Sequence, residues 1–223
     1  MDGSPREKQT YGQINGITAV ILAGGASSRM GGNKALLTVE GAPLIEKIYH
    51  TMAQLFREVV LVTNTPGEYA FLPCATVADR YPGIGPLAGL HAGLMAGTGN
   101  WIFMTACDTP FLNPDVIRMI CTSVGEYDAV VPVSCGGKEP LQALYGRRCL
   151  AMVERAIEQG DWKLLNLLDR VRTRFVTREE LAAIPDAERS FCNVNTPEEY
   201  ERFCAVTPRQ RPSCACGDRQ KRN

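Results

Sequence analysis

The chain has 223 residues, 45% of them apolar, which allows a full core and excludes a disordered polypeptide. Lysine plus arginine and aspartate plus glutamate balance at 24 each, so no charge surplus points to nucleic acid or a membrane surface. No apolar run approaches the ~18 residues of a transmembrane helix, and Met1 to Gln13 lacks the apolar core of a signal peptide. A cytoplasmic protein is expected. In chain order, residues 1–14 read as a flexible polar segment. The apolar run Ile17–Leu22 predicts a strand, and Leu36–Val39 a short one. Pro43 to Phe56 has helical spacing (Leu44, Ile48, Met52, Leu55), with Pro43 suited to the first turn. Val59–Thr63 is almost wholly apolar, the mark of a parallel strand buried on both faces. A strand at Ala75–Ala78, a small-residue helix over Leu87–Ala96 and a central strand at Trp101–Ala106 follow. Asn113 caps a helix running to about Val124. Strands near Ala129–Val133 and Leu141–Tyr145, helices over Arg148–Glu158 and Lys163–Leu168, and a last helix from Thr196 complete the pattern. Strands and helices alternate without an internal repeat. This predicts an α/β domain over residues 15–206: a single open, mostly parallel twisted sheet with helices on both faces. The basic tail, residues 207–223, reads as disordered.

Nine cysteines is an odd number. Cys107, Cys121, Cys149 and Cys204 lie in apolar segments, so buried free thiols are expected. Cys214 and Cys216 in the tail have no matching second pair with which to complete a metal site.

The segment Leu22 to Leu37 carries the strongest chemical signal. It reads Leu-Ala-Gly-Gly-Ala-Ser-Ser-Arg-Met-Gly-Gly-Asn-Lys-Ala-Leu-Leu and leaves the first strand directly. Small residues let backbone N–H groups approach an anion closely, and Arg29 and Lys34 can then neutralise it. A polyphosphate, foremost a nucleoside triphosphate, is the implied ligand. The P-loop is excluded because Gly32-Asn33-Lys34-Ala35 lacks its Lys-Ser/Thr pair, and the dinucleotide fingerprint because its glycine spacing is absent.

In parallel sheets ligands bind outside the carboxyl ends of the strands. Gly24 and Gly25, Asn64, Asp79 and Asp108 all fall at such ends, which argues for one cleft. Asp108 is placed to hold a magnesium ion against substrate phosphates, although a turn aspartate ahead of a proline is also ordinary. The glycine- and proline-rich stretch Asp79 to Gly89 could shape a base and sugar pocket or serve as a stiff connector. Asn64 could read a base edge or simply form a turn. Asn193 and Asn195 stand two apart and face one side of an extended segment, while Thr196 with Glu199 reads as a capping box. His50 and His91 read as surface or packing residues. No Ser-His-Asp or Cys-His arrangement supplies a nucleophile, so the attacking group belongs to a substrate.

Leu-Ala-Gly-Gly-x-Ser-Ser-Arg-Met-Gly-x-x-Lys, Asp-Arg-Tyr-Pro-Gly-x-Gly-Pro-Leu-Ala-Gly, Cys-Asp-Thr-Pro-Phe-Leu and Asn-Val-Asn-Thr-Pro-Glu-Glu occur here in order. Together, over about Ile17 to Phe203, they resemble the molybdenum cofactor guanylyltransferases of the sugar-nucleotidyltransferase-like superfamily, with its Rossmann-like nucleotidyltransferase fold. The resemblance implies transfer of GMP from GTP to the phosphate of molybdopterin, with Mg2+ and release of pyrophosphate. By position it implies that Leu22, Ala23, Gly24, Gly25, Lys34, Asn64, Asp79 and Asp108 contact GTP. Arg29, Lys34 and Asp108 would be catalytic, with Asp108 the metal ligand. Asn193 and Asn195 would lie beside the pterin phosphate or the metal. Related cytidylyltransferases tend to carry aspartates at these two positions, which tilts the reading toward GTP. Many relatives have aspartate where Asn33 stands, a departure of small consequence beside Arg29 and Lys34. Cofactor-insertion or client enzymes are further implied partners. The rival readings are a cytidylyltransferase acting on molybdopterin or a small phosphorylated alcohol, and, more remotely, a non-catalytic nucleotide-binding or cofactor-handover protein.

Overall fold

The computed structural model describes residues 12–24 and 33–205. Gly25, Arg29, the amino-terminal residues 1–11 and the tail from 206 onward, with Cys214 and Cys216, lie outside the described residues. The strands are β1 (Ile17–Leu22), β2 (Thr38–Val39), β3 (Ala42–Pro43), β4 (Val59–Val62) and β5 (Ala75–Val77). They continue with β6 (Trp101–Ala106), β7 (Ala129–Ser134), β8 (Gly137–Lys138), β9 (Ala143–Gly146) and β10 (Thr173–Val176). The helices are α1 (Leu44–Leu55), α2 (Pro86–Ala96), α3 (Pro114–Thr122), α4 (Leu150–Glu158), α5 (Leu164–Leu168), α6 (Arg178–Leu181) and α7 (Pro197–Ala205). Among the described residues no helix is long and apolar enough to cross a membrane.

The main sheet runs in the order β10-β7-β9-β6-β1-β4-β5, with β8 attached to β7 and a separate hairpin of β2 and β3. Strand β9 is antiparallel to both neighbours, and β8 is antiparallel to β7; the other pairings of the main sheet are parallel. The alternation of side chains along β1 explains why both faces are covered. Ile17, Ala19 and Ile21 pack with residues of α1, α3 and α6, whereas Val20 and Leu22 pack with residues of α2, α4 and α5. The chain passes from β1 to β4 on one side, then returns from β5 through α2 to β6 on the other. That reversal makes the carboxyl end of β1 and β6 the topological switch point, where open α/β sheets bind ligands.

Two glycines let α2 lie close on the sheet. A Cβ at Gly89 would stand 2.7 Å from Leu22 Cδ2, and one at Gly93 would stand 2.9 Å from Val20 Cγ1 and 3.2 Å from Ile102 Cδ1. Gly93→Val should therefore cost about 1–3 kcal/mol through overpacking. A lowered urea midpoint is the expected result, and an unchanged one would contradict this close fit.

The structure corrects several local expectations. Leu36–Val39 is not one strand: Lys34–Leu36 forms a 3₁₀ turn, and only Thr38–Val39 pairs, with Ala42–Pro43. Strand β10, which extends the sheet edge beside β7, and helix α6, which follows it, were not expected. Cys121 and Cys149 are buried free thiols, but Cys107 is half-buried and Cys204 is exposed. Helix α7 is mostly polar and buries only Tyr200 fully, so Cys204 falls on its outer side. His91 is 2% exposed, as a packing residue should be.

Candidate active site

Four strands end level with one another. Leu22 is paired with both Val62 and Ala106, and Val62 with Val77. Backbone bonds carry the alignment one residue further: Ala23 N–H donates to Val62 O at 2.9 Å, Thr63 N–H to Val77 O at 2.9 Å, and Cys107 N–H to Leu22 O at 3.1 Å. Ala23 and Gly24, Asn64, Asp79 and Asp108 therefore emerge side by side at one edge of the sheet. Leu22 and Ala23 are buried, and the ladder takes up the Leu22 carbonyl and the Ala23 N–H, which fixes where Gly24 leaves the sheet.

Asn64 and Asp79 are bound to each other. Asn64 Nδ2 donates to Asp79 Oδ2 at 3.0 Å, and Asp79 N–H donates to Asn64 Oδ1 at 3.1 Å. The second carboxylate oxygen accepts from Tyr81 N–H at 3.1 Å. This pairing closes the turn that begins the glycine loop, where Gly83 and Gly85 adopt φ of +92° and +80°, values that favour glycine. Pro86 then starts α2 at its first turn. The structural role of Asn64 and Asp79 is thus explicit, and each keeps unused hydrogen-bonding capacity on its exposed side.

Lys34 lies in the 3₁₀ turn capped by Asn33, whose Oδ1 accepts from Ala35 N–H at 3.1 Å. Asn33 Nδ2 donates to Glu68 Oε2 at 2.6 Å and to Tyr69 Oη at 2.7 Å. The amide at this position is therefore matched to Glu68; an aspartate would set two carboxylates against each other. Lys34 Nζ donates to Asn195 Oδ1 at 2.6 Å, joining two segments 161 residues apart.

The Asn193–Asn195 segment is fastened beside Asp108, since Val194 N–H donates to the Asp108 carbonyl at 2.7 Å. Val194 is buried with Val39, Leu44 and Tyr200, so its neighbours fall on the opposite side of the extended segment. Phe111, just after Asp108, stacks on Tyr200 at 5.2 Å and draws α7 against the same loop. The Cys107 thiol records the local charges. Burial first, and then the Asp108 carboxylate, push it up to about 12, while Lys34 pulls in the other direction. Asp108 and Lys34 thus act on one point from opposite signs. Burial and the Asp108 carboxylate keep Cys107 as the neutral thiol.

Sequence reasoning placed Glu199 only in the helix cap. Thr196 Oγ1 accepts from Glu199 N–H at 3.2 Å, the expected half of a capping box. The carboxylate, however, reaches Asn195 rather than Thr196, accepting from the Asn195 backbone N–H at 2.7 Å and from Nδ2 at 3.3 Å. The signal was present in the spacing of four between Asn195 and Glu199, but the cap accounted for the glutamate without it.

Residues 19–173 match the family model described as MobA-like NTP transferase domain. The chain is 38% identical over 191 residues to a molybdenum cofactor guanylyltransferase of Desulfosudis oleivorans, covering 85% of this chain and 95% of the relative. It is 35% identical over 193 residues to a probable molybdenum cofactor guanylyltransferase of Carboxydothermus hydrogenoformans, covering 86% and 98%. In three dimensions it is similar to the crystal structure of molybdopterin-guanine dinucleotide biosynthesis protein A from Archaeoglobus fulgidus. That likeness has a TM-score of 0.71 and 28% identity, and covers 84% of this chain and 98% of that one.

Proposed function

Because this chain belongs to the MobA-like NTP transferase family and is a nucleotidyltransferase, we propose that it transfers GMP from GTP to the terminal phosphate of molybdopterin, forming molybdopterin guanine dinucleotide and pyrophosphate. One observation carries the site assignment: the level ends of β1, β4, β5 and β6, which set Gly24, Asn64, Asp79 and Asp108 along one edge. The acceptor phosphate attacks the α-phosphorus of GTP in line, and the bond to the β-phosphate oxygen breaks as pyrophosphate leaves. Two anions must meet, so positioning and charge neutralisation carry the catalysis.

The amides of the loop from Gly24 through Gly25, with Arg29, hold the β- and γ-phosphates, and Leu22 and Ala23 contact the nucleotide from the strand end. Asn64, Asp79 and the loop to Gly85 shape the base and sugar pocket. Lys34 steadies charge near the α-phosphate, and Asn193 and Asn195 stand toward the acceptor. Asp108 would hold Mg2+: a carboxylate at the end of β6, beside the strand ends that set Gly24, Asn64 and Asp79 along the same edge, is a hard oxygen donor of the kind that ion takes. Bound there, Mg2+ would supply positive charge to the nucleotide phosphates.

Position-specific labelling tests the reaction. With GTP labelled at the α-phosphate the label should appear in the pterin dinucleotide, and with γ-labelled GTP it should appear only in pyrophosphate. Release of free labelled orthophosphate from the γ position, with none in pyrophosphate, would contradict attack at the α-phosphorus.

A further inference from the structure

Glu199 makes two bonds that a capping role does not require. Both the backbone N–H and the side-chain Nδ2 of Asn195 converge on one oxygen, Oε2, at 2.7 and 3.3 Å. An ionised carboxylate only accepts, so the amide must turn its NH2 toward Glu199. That leaves Oδ1 as the face offered to Lys34 Nζ, which it meets at 2.6 Å. The flipped amide would set its oxygen against the carboxylate and its NH2 against the ammonium, an unfavourable pairing at both ends. Lys34 has three donors, so this bond leaves two for phosphate oxygens. The chain of contacts runs from the start of α7 to the cation of the phosphate site. Tyr200, the next residue, is buried against Val39 and Leu44 and anchors that start.

We infer that Glu199 is a positioning residue for the transfer reaction, orienting the Asn195 amide so that its oxygen holds the Lys34 ammonium at the α-phosphate. The inference rests on the reaction proposed above, and its test has one arm that does not.

The spectroscopic arm uses the side-chain amide resonance of Asn195 in nitrogen-15-labelled full-length protein, assigned by its loss in Asn195→Ala. Glu199→Ala should move this resonance, and Thr196→Ala, which removes only the hydroxyl cap of α7, should leave it in place. In the kinetic arm Glu199→Ala should lower kcat about 10-fold or more with KM for GTP nearly unchanged, because a displaced group costs turnover before it costs binding. Glu199→Gln, whose amide oxygen can still accept from the Asn195 N–H, should restore much of the loss. Thr196→Ala should stay near the parent kcat. An Asn195 resonance indifferent to Glu199→Ala would overturn the orientation. A moved resonance with kcat unchanged would overturn the positioning role. A moved resonance in a parent enzyme that fails to transfer GMP would overturn the proposed reaction and, with it, the role of Glu199 in that reaction.

Discussion

Asp108→Ala is expected to lower turnover by about 100-fold or more while the chain stays folded. The fold should survive because the link that fastens the 193–195 segment uses the Asp108 carbonyl, which alanine retains. The strand leading to it is secured independently by its pairing with β1 and β9. What the substitution removes is the carboxylate at the switch point. Asp108→Asn separates charge from shape, since it keeps the size and loses the negative charge. It should be nearly as impaired as the alanine variant if the carboxylate serves to hold a cation. Steady-state turnover beside a urea denaturation curve decides the matter. Near-parent activity in a folded Asp108→Asn protein would remove Asp108 from the metal-holding role.

Lys34→Ala should lower turnover by a similar ~100-fold factor for a different reason. In the proposed reaction its ammonium neutralises charge that develops as the acceptor phosphate approaches the α-phosphorus. The 3₁₀ turn that carries it does not depend on the lysine side chain, because Asn33 caps that turn and is itself tied to Glu68 and Tyr69. Stability should therefore change little. Lys34→Arg keeps the charge but spreads it over a planar group, and the bond to Asn195 Oδ1 is built for a compact ammonium at 2.6 Å. Arginine should recover only part of the loss. Parent-like kcat in Lys34→Ala would contradict the assignment.

Much of the fold was legible because its central strands are almost wholly apolar runs. Ile17–Leu22 and Trp101–Ala106 have the expected bounds, and both lie deep in the sheet, where burial on both faces leaves a single threonine in each, Thr18 and Thr105, as the polar exception. Asn113 caps α3 as its sequence signals, accepting from Asp115 N–H at 2.9 Å. The edge elements were harder to read. Strand β10 has four residues with Arg174 among them, and its half-buried pattern resembles that of a loop. The 3₁₀ turn at Lys34–Leu36 was hidden by the apolar run that follows it, which reads equally well as a strand. In the site, strand ends announced Asn64, Asp79 and Asp108 because each is the first charged or amide side chain beyond an apolar run. The register that aligns them needed the sheet. So did the meeting of Lys34 with Asn195, since no local pattern connects residues 161 positions apart.

Guanylyl transfer is proposed to occur at the switch point between β1 and β6. Its most direct test is magnesium-dependent pyrophosphate release with molybdenum-loaded molybdopterin, comparing GTP with CTP. Release should require both magnesium and the acceptor, with kcat/KM for GTP exceeding that for CTP by about 100-fold, the scale of discrimination from one bidentate contact to a base edge. Preference for CTP, or no release with either nucleotide, would contradict it.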